Sequence, residues 1–179
     1  MRLAIDASRC TVPRITGTEN YAIQLIRALI RLNTEHHITL YFRDPPRPDL
    51  FPASPLVEQR VIPFRHAWTH LRFAVELWRD KPDVTFVPAH TLPLVFPGRA
   101  IVTVHDVGFK YFPQAHPLRQ RLYLDWTTRY SAARARVILA DSQATAGDLH
   151  KFYGTPPDKI QVVYPGVDKP LVGDIETAR

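Results

Sequence analysis

MRLAIDASRCTVPRITGTENYAIQLIRALIRL, residues 1–32, reads as a strand, a loop and a helix in direct succession. Leu3 to Ile5, ending in Asp6, is a short strand candidate, and the irregular stretch Ala7 to Thr16 follows it. Gly17 closes that loop. From Thr18 the apolar positions Tyr21, Leu25, Ala28, Leu29 and Leu32 recur at helical spacing, with Glu19 near the positive N-terminal end of the helix.

The same alternation runs outward from this unit. His37 to Phe42 is rich in β-formers and is stopped by Pro45, Pro46 and Pro48, which cannot continue a sheet ladder; Val57 to Ile62 is a weaker strand. Ala67 to Arg79 reads as a helix with Trp68, Leu71, Val75 and Trp78 on one stripe, ended by Lys81 and Pro82. Asp83 to Val87 and Ala100 to Val104 carry few charges and many β-branched residues, the pattern of central strands buried on both faces. Pro117 suits the first turn of a helix reaching about Ala133, in which Leu118, Leu122, Trp126 and Tyr130 repeat every four. Arg136 to Ala140 is the next strand, Ser142 caps a helix through His150, and Ile160 to Val163 is the last strand before the turn Tyr164 to Asp168. Strands alternating with helices predict an α/β, Rossmann-like, doubly wound sheet of about seven strands, mostly parallel, with helices on both faces.

Composition sets the frame for function. The 179 residues suffice for one domain, and 45% hydrophobic with 22% charged residues is ordinary for a globular protein. The single cysteine, Cys10, cannot form an internal disulfide, which fits a reducing compartment. No apolar run approaches the roughly 18 residues that span a bilayer, and MRLAID has no basic region followed by an apolar signal segment. The expected location is cytoplasmic. The net charge of +6 and a pI near 9.7 favour anions: nucleotide phosphates, anionic lipid or nucleic acid. Nucleic acid is disfavoured, because the positive charge is dispersed and no recognition motif accompanies it.

In an open α/β sheet, ligands bind outside the carboxyl ends of the strands. Three segments are expected at that edge: Arg14 to Asn20, His105 to Phe109, and Asp141 to Thr145. Gly17 would let a ligand approach the backbone where the helix that follows presents unpaired amides suited to a phosphate; a tight strand-to-helix turn explains it equally. There is no Walker loop and no GxGxxG. His105 and Asp106 emerge from the buried run Ile101 to Val104, where an imidazole can bind a sugar hydroxyl or shuttle a proton. Ser142 reads as an N-cap rather than a nucleophile, for no GxSxG elbow surrounds it. His66 and His70 lie four apart, but no third ligand is evident, so no metal is expected.

In order, ITGTENYAIQLIRAL, IVTVHDVGFKYFP, RARVILADSQATAGDL and PPDKIQVVYPGVD resemble the N-terminal domain of family 4 glycosyltransferases, which have the two-domain GT-B fold. The resemblance implies a domain over residues 1–168, with 169–179 the start of an interdomain linker or tail and the second, donor-binding domain absent or carried by a separate chain. It implies retaining transfer of a sugar from a nucleotide-diphosphate sugar to a hydroxyl acceptor, with no other cofactor, and little activity in the isolated chain. Gly17 and Thr18 would approach the donor diphosphate, His105 and Asp106 would face the transferred sugar or acceptor, and Asn20, Ser142 and Thr145 would line the acceptor side.

Two other readings stand beside this one. The chain could be a non-catalytic sugar or nucleotide binding module. Alternatively, Arg65, His66, Trp68, His70, Arg72, Arg79 and Lys81 mix basic and aromatic residues around one helix, which could rest on anionic lipid at the inner face of the membrane; the stripe from Trp68 to Trp78 is otherwise core.

Overall fold

The computed structural model describes residues 1–166; the linker expected at 169–179, with Val167 and Asp168, lies outside them. Seven strands form one sheet: β1 (Arg2–Asp6), β2 (His37–Phe42), β3 (Val57–Val61), β4 (Val84–Val87), β5 (Arg99–Val104), β6 (Val137–Ala140) and β7 (Ile160–Val162). Their order is β3-β2-β1-β4-β5-β6-β7, and every pairing is parallel. The order reverses beside β1, where the chain winds first outward to β2 and β3 and then returns to β4. The crevice at such a switch point is where an open sheet can take a ligand.

Successive side chains of a strand point to opposite faces. Ile5, Leu40, Phe42 and Phe86 therefore join one core with the helix α1 (Gly17–Leu32), while Ala4, Tyr41, Val87, Val102 and Ile138 join a second core on the other face. That second core takes in α2 (Ala74–Asp80), α4 (Leu118–Arg134) and α5 (Gln143–Tyr153). A single turn, α3 (Gly108–Tyr111), follows β5.

The helical stripes differ from the expected ones. α1 buries Ala22, Ile23, Ile26 and Ile30, whereas Leu32 is exposed and Tyr21, Leu25 and Leu29 lie at the flank. Isoleucine at i, i+3 and i+7 fits the same period, and each fully buried Ile contributes about 1.5–3 kcal/mol. Ahead of α2, residues Thr69–Phe73 wind as a π-helix, which rotates the following turns. Phe73, Ala74 and Leu77 turn inward, Trp68 is buried at the helix entry, and Leu71, Val75 and Trp78 face solvent. The expected stripe is therefore divided. α2 ends as its Lys-Pro signal indicates, with Lys81 left-handed and its N–H donating to the Leu77 carbonyl at 2.8 Å. Pro117 stands just before α4 rather than inside its first turn.

Candidate functional site

The switch point holds a cleft of about 240 Å³. Asp6 from the end of β1, Ala89, His90 and Thr91 from the loop after β4, and His105 from the end of β5 line it; Arg9, Thr18 and Glu19 close one side, Tyr123 and Leu124 of α4 the other. Each strand ends by delivering a polar residue to the same edge.

His105 is the most constrained of these side chains. Its Nδ1 lies 2.6 Å from Asp141 Oδ2, so that nitrogen carries a hydrogen and donates it to the carboxylate. Its main-chain N–H donates to His90 Nε2 at 2.9 Å, and its carbonyl accepts from the Thr145 hydroxyl at 3.0 Å. Tyr21 meets the ring edge-on, with centroids 4.9 Å apart, and Nε2 is 3.3 Å from the Pro88 carbonyl. The segments after β4 and β6 and the helices α1 and α5 thus hold His105, its ring through Asp141, Pro88 and Tyr21 and its main chain through His90 and Thr145. Such a support lets a group act without reorganising. The other Asp141 oxygen, Oδ1, is buried with no hydrogen-bond partner among the described residues.

The expected residues fall into two sets. Thr18 and His105 line the cleft together, and Thr145 reaches His105 from behind. Ser142 caps α5, accepting from the Thr145 N–H at 3.1 Å, as its position indicates. Gly17 is the first residue of α1, exposed, and a Cβ built on it would meet nothing within 4 Å. Asn20 is exposed and not among the lining residues. Asp106 is exposed as well, and its Oδ1 accepts from the Gly108 N–H at 2.7 Å, closing its own turn. His70 turns to the Tyr123 hydroxyl at 3.1 Å.

Electrostatics differ sharply over a short distance. Burial raises the Asp6 carboxyl above its ordinary range, against the hydrogen bond from Ser8 and the charge of Arg9. Burial also works on Glu19, but hydrogen bonds from Thr16 and the charge of Arg9 outweigh it and hold that carboxyl low. Burial, with the neighbouring His105, pushes His90 down to about 4. His90 is therefore neutral at neutral pH, as an acceptor of the His105 N–H must be at Nε2. Arg9 lines the cleft 3.6 Å from Glu19, whose carboxylate also caps the first turn of α1 by accepting the Thr16 N–H at 3.0 Å.

Asp6 and His90 were not singled out by sequence reasoning, and Asp141 appeared there only as the start of the segment Asp141 to Thr145. Asp6 and Asp141 carry a usable signal, since each directly ends or follows a strand as His105 does. His90 carries none, for its partner is 15 residues away.

Comparison with known proteins agrees with this architecture. Residues 15–169 match the family model described as Glycosyltransferase Family 4. Over 102 residues the chain is 28% identical to the O-antigen chain mannosyltransferase RfbU of Salmonella typhimurium, covering 57% of this chain and 27% of that protein. Sucrose-phosphate synthase from Thermosynechococcus elongatus aligns over 93% of this chain and 48% of its own, with TM-score 0.62 and 14% identity. Anabaena Alr3699/HepE, solved in complex with UDP and glucose, aligns over 93% of this chain and 45% of its own, with TM-score 0.56 and 13% identity. The chain spans about half the length of these structures, and about a quarter of the mannosyltransferase. With the family model matched over most of its length, and a parallel sheet whose switch point carries the cleft, the chain belongs to glycosyltransferase family 4.

Proposed function

We propose that this domain is the acceptor-side half of a retaining glycosyltransferase that moves a sugar from a nucleotide-diphosphate sugar to a hydroxyl acceptor. The observation that carries the reading is the His105 clamp in the cleft that the first turn of α1 also lines: one imidazole held by Asp141, with Thr18 and Arg9 on the same cleft. In such a transfer the bond from the anomeric carbon to the diphosphate breaks and a bond to the acceptor oxygen forms, while the acceptor hydroxyl gives up its proton. Charge grows on the leaving diphosphate and must be met by fixed donors. In this reading Thr18 and Arg9 meet that charge, the backbone at Gly17 approaches the diphosphate, His105 faces the sugar, and Asp141 holds His105 in position.

A second domain would supply the other wall of the cleft, the base and ribose contacts, and the exclusion of water. The chain's alignment with 45–48% of the length of those two structures supports that division. Calorimetric titration with UDP-sugars and GDP-sugars tests it, first on the 179 residues alone and then with a second domain present. Weak binding alone and tight binding in the pair is the expected result. Full turnover by the isolated chain, or no binding in either case, contradicts the reading.

A further inference from the structure

Two neighbouring helices carry their largest apolar side chains on the outside. The inner face of α4 is Thr127, Thr128, Ser131 and Ala132, all buried, while Leu118, Leu122 and Trp126, spaced four apart, face solvent. The segment leading through α2 repeats this, with Leu71, Val75 and Trp78 outward. These six side chains are 49–60% exposed. Isolated surface hydrophobes need no explanation, but a contiguous patch does.

The two stripes are bridged by residues that lie between the helices. Both helices lie on the same side of the sheet, and His70 meets Tyr123 across the gap. Between them Val95 shares one shallow apolar depression with Phe64, Leu71, Val75 and Trp78, while Trp126 stacks on Tyr130, whose hydroxyl donates to the adjacent Leu94 carbonyl.

Charge identifies the occupant. The acids of these helices are already engaged: Glu76 by Arg72, Asp80 by Arg60, Asp125 by Lys110. Arg79, Lys81 and Arg119, each within three residues of a stripe residue, and Arg65, beside Phe64 of the depression, are exposed and have no acidic partner within 4 Å among the described residues. A second copy seated on this face by a two-fold axis would set these cations against one another. An anionic lipid surface instead matches both features, because apolar stripes enter the acyl boundary, tryptophans favour the interface, and arginines meet lipid phosphates.

We propose that the α2–α4 face seats this domain on an anionic bilayer, through Leu71, Val75, Trp78, Leu118, Leu122 and Trp126 with Arg65, Arg79, Lys81 and Arg119 around them. The surface does not depend on the sugar-transfer reading. If both hold, the cleft opens beside the bilayer, since Thr69 and Tyr123 line it from the same two segments. No helix of the described residues is long and apolar enough to cross a membrane, so the contact is peripheral.

The test is co-sedimentation of the full chain with phosphatidylcholine vesicles, with and without phosphatidylglycerol, read together with tryptophan fluorescence. Trp78 and Trp126 are exposed and report insertion, while buried Trp68 stays silent. Binding at least about tenfold tighter to the anionic vesicles, a blue shift, and at least about tenfold weakening in Val75→Glu/Leu122→Glu are expected. Both positions are solvent-facing, so circular dichroism should show the variant folded. Equal binding to neutral and anionic vesicles, or a folded variant that binds as well as the parent, overturns the proposal. So does a dimer in sedimentation equilibrium that the same variant disperses while no vesicle binding occurs.

Discussion

His90 makes acid stability the most quantitative consequence of the site. Its imidazole is held at about 4 in the folded chain against 6.5 for an unperturbed histidine, chiefly by burial. Between those values the unfolded chain binds the extra proton and the folded chain does not, so stability falls as pH drops through 6.5 and continues to fall until about 4. One pH unit corresponds to 1.36 kcal/mol, so the full interval amounts to about 3 kcal/mol. Protonation also removes the lone pair that accepts the His105 N–H. The His90 contribution read by urea denaturation should be about 2 kcal/mol smaller at pH 5 than at pH 7.5, against the opposite-signed contribution of the raised Asp6 carboxyl. In His90→Gln, whose side-chain carbonyl can still accept, most of that difference should vanish. An unchanged pH dependence in a folded His90→Gln would refute the assignment of a buried neutral imidazole behind His105.

Other consequences follow from single positions. Gly98 has φ +73, and a Cβ there would stand 2.8 Å from the Pro82 carbonyl; Gly98→Ala should cost about 1–3 kcal/mol and lower the melting temperature by several degrees. Gly17 has open space instead, so Gly17→Ala should leave the melting temperature unchanged or slightly raised while weakening nucleotide-sugar affinity in the two-domain assembly. A parallel loss of stability would show that the glycine serves the turn. The Cys10 thiol is pushed up to about 12 by burial and by the Asp6 and Glu19 carboxylates. Alkylation at pH 8 should therefore be slow in buffer and rapid in denaturant; fast labelling of the folded chain would contradict that burial.

Much of the fold is legible in short windows because strand-forming runs and proline stops are local. Val84 to Val87 and Ala100 to Val104 are apolar on both sides, and only a sheet covered on both faces needs that. Helix orientation is less legible. In α4 the stripe Leu118, Leu122, Trp126 has the period of a buried face, yet the sheet takes Thr127, Thr128 and Ser131, with the Ser131 hydroxyl accepting the Leu92 N–H at 3.0 Å. Periodicity states which residues share a face and not which way the face looks. The π-helical turn before α2 has the same effect, separating Trp68 from Leu71, Val75 and Trp78. At the site, His105 is visible as a titratable residue leaving a buried strand. Asp141 and His90, 36 and 15 residues away, become its partners only through strand order. Asp106, adjacent in sequence to His105, turns away to close its own loop.

The central claim is that the carboxyl edge of the sheet, at the β1–β4 switch point, takes the nucleotide sugar. Amide chemical-shift mapping of the ¹⁵N-labelled chain during titration with UDP-glucose and GDP-mannose tests it most directly. The account predicts shifts confined to residues 14–20, 88–91, 105–109 and 141–145, even at weak affinity. Shifts centred on the opposite edge, around Arg2, His37 and Lys81, or no localised response at saturating ligand, would contradict it.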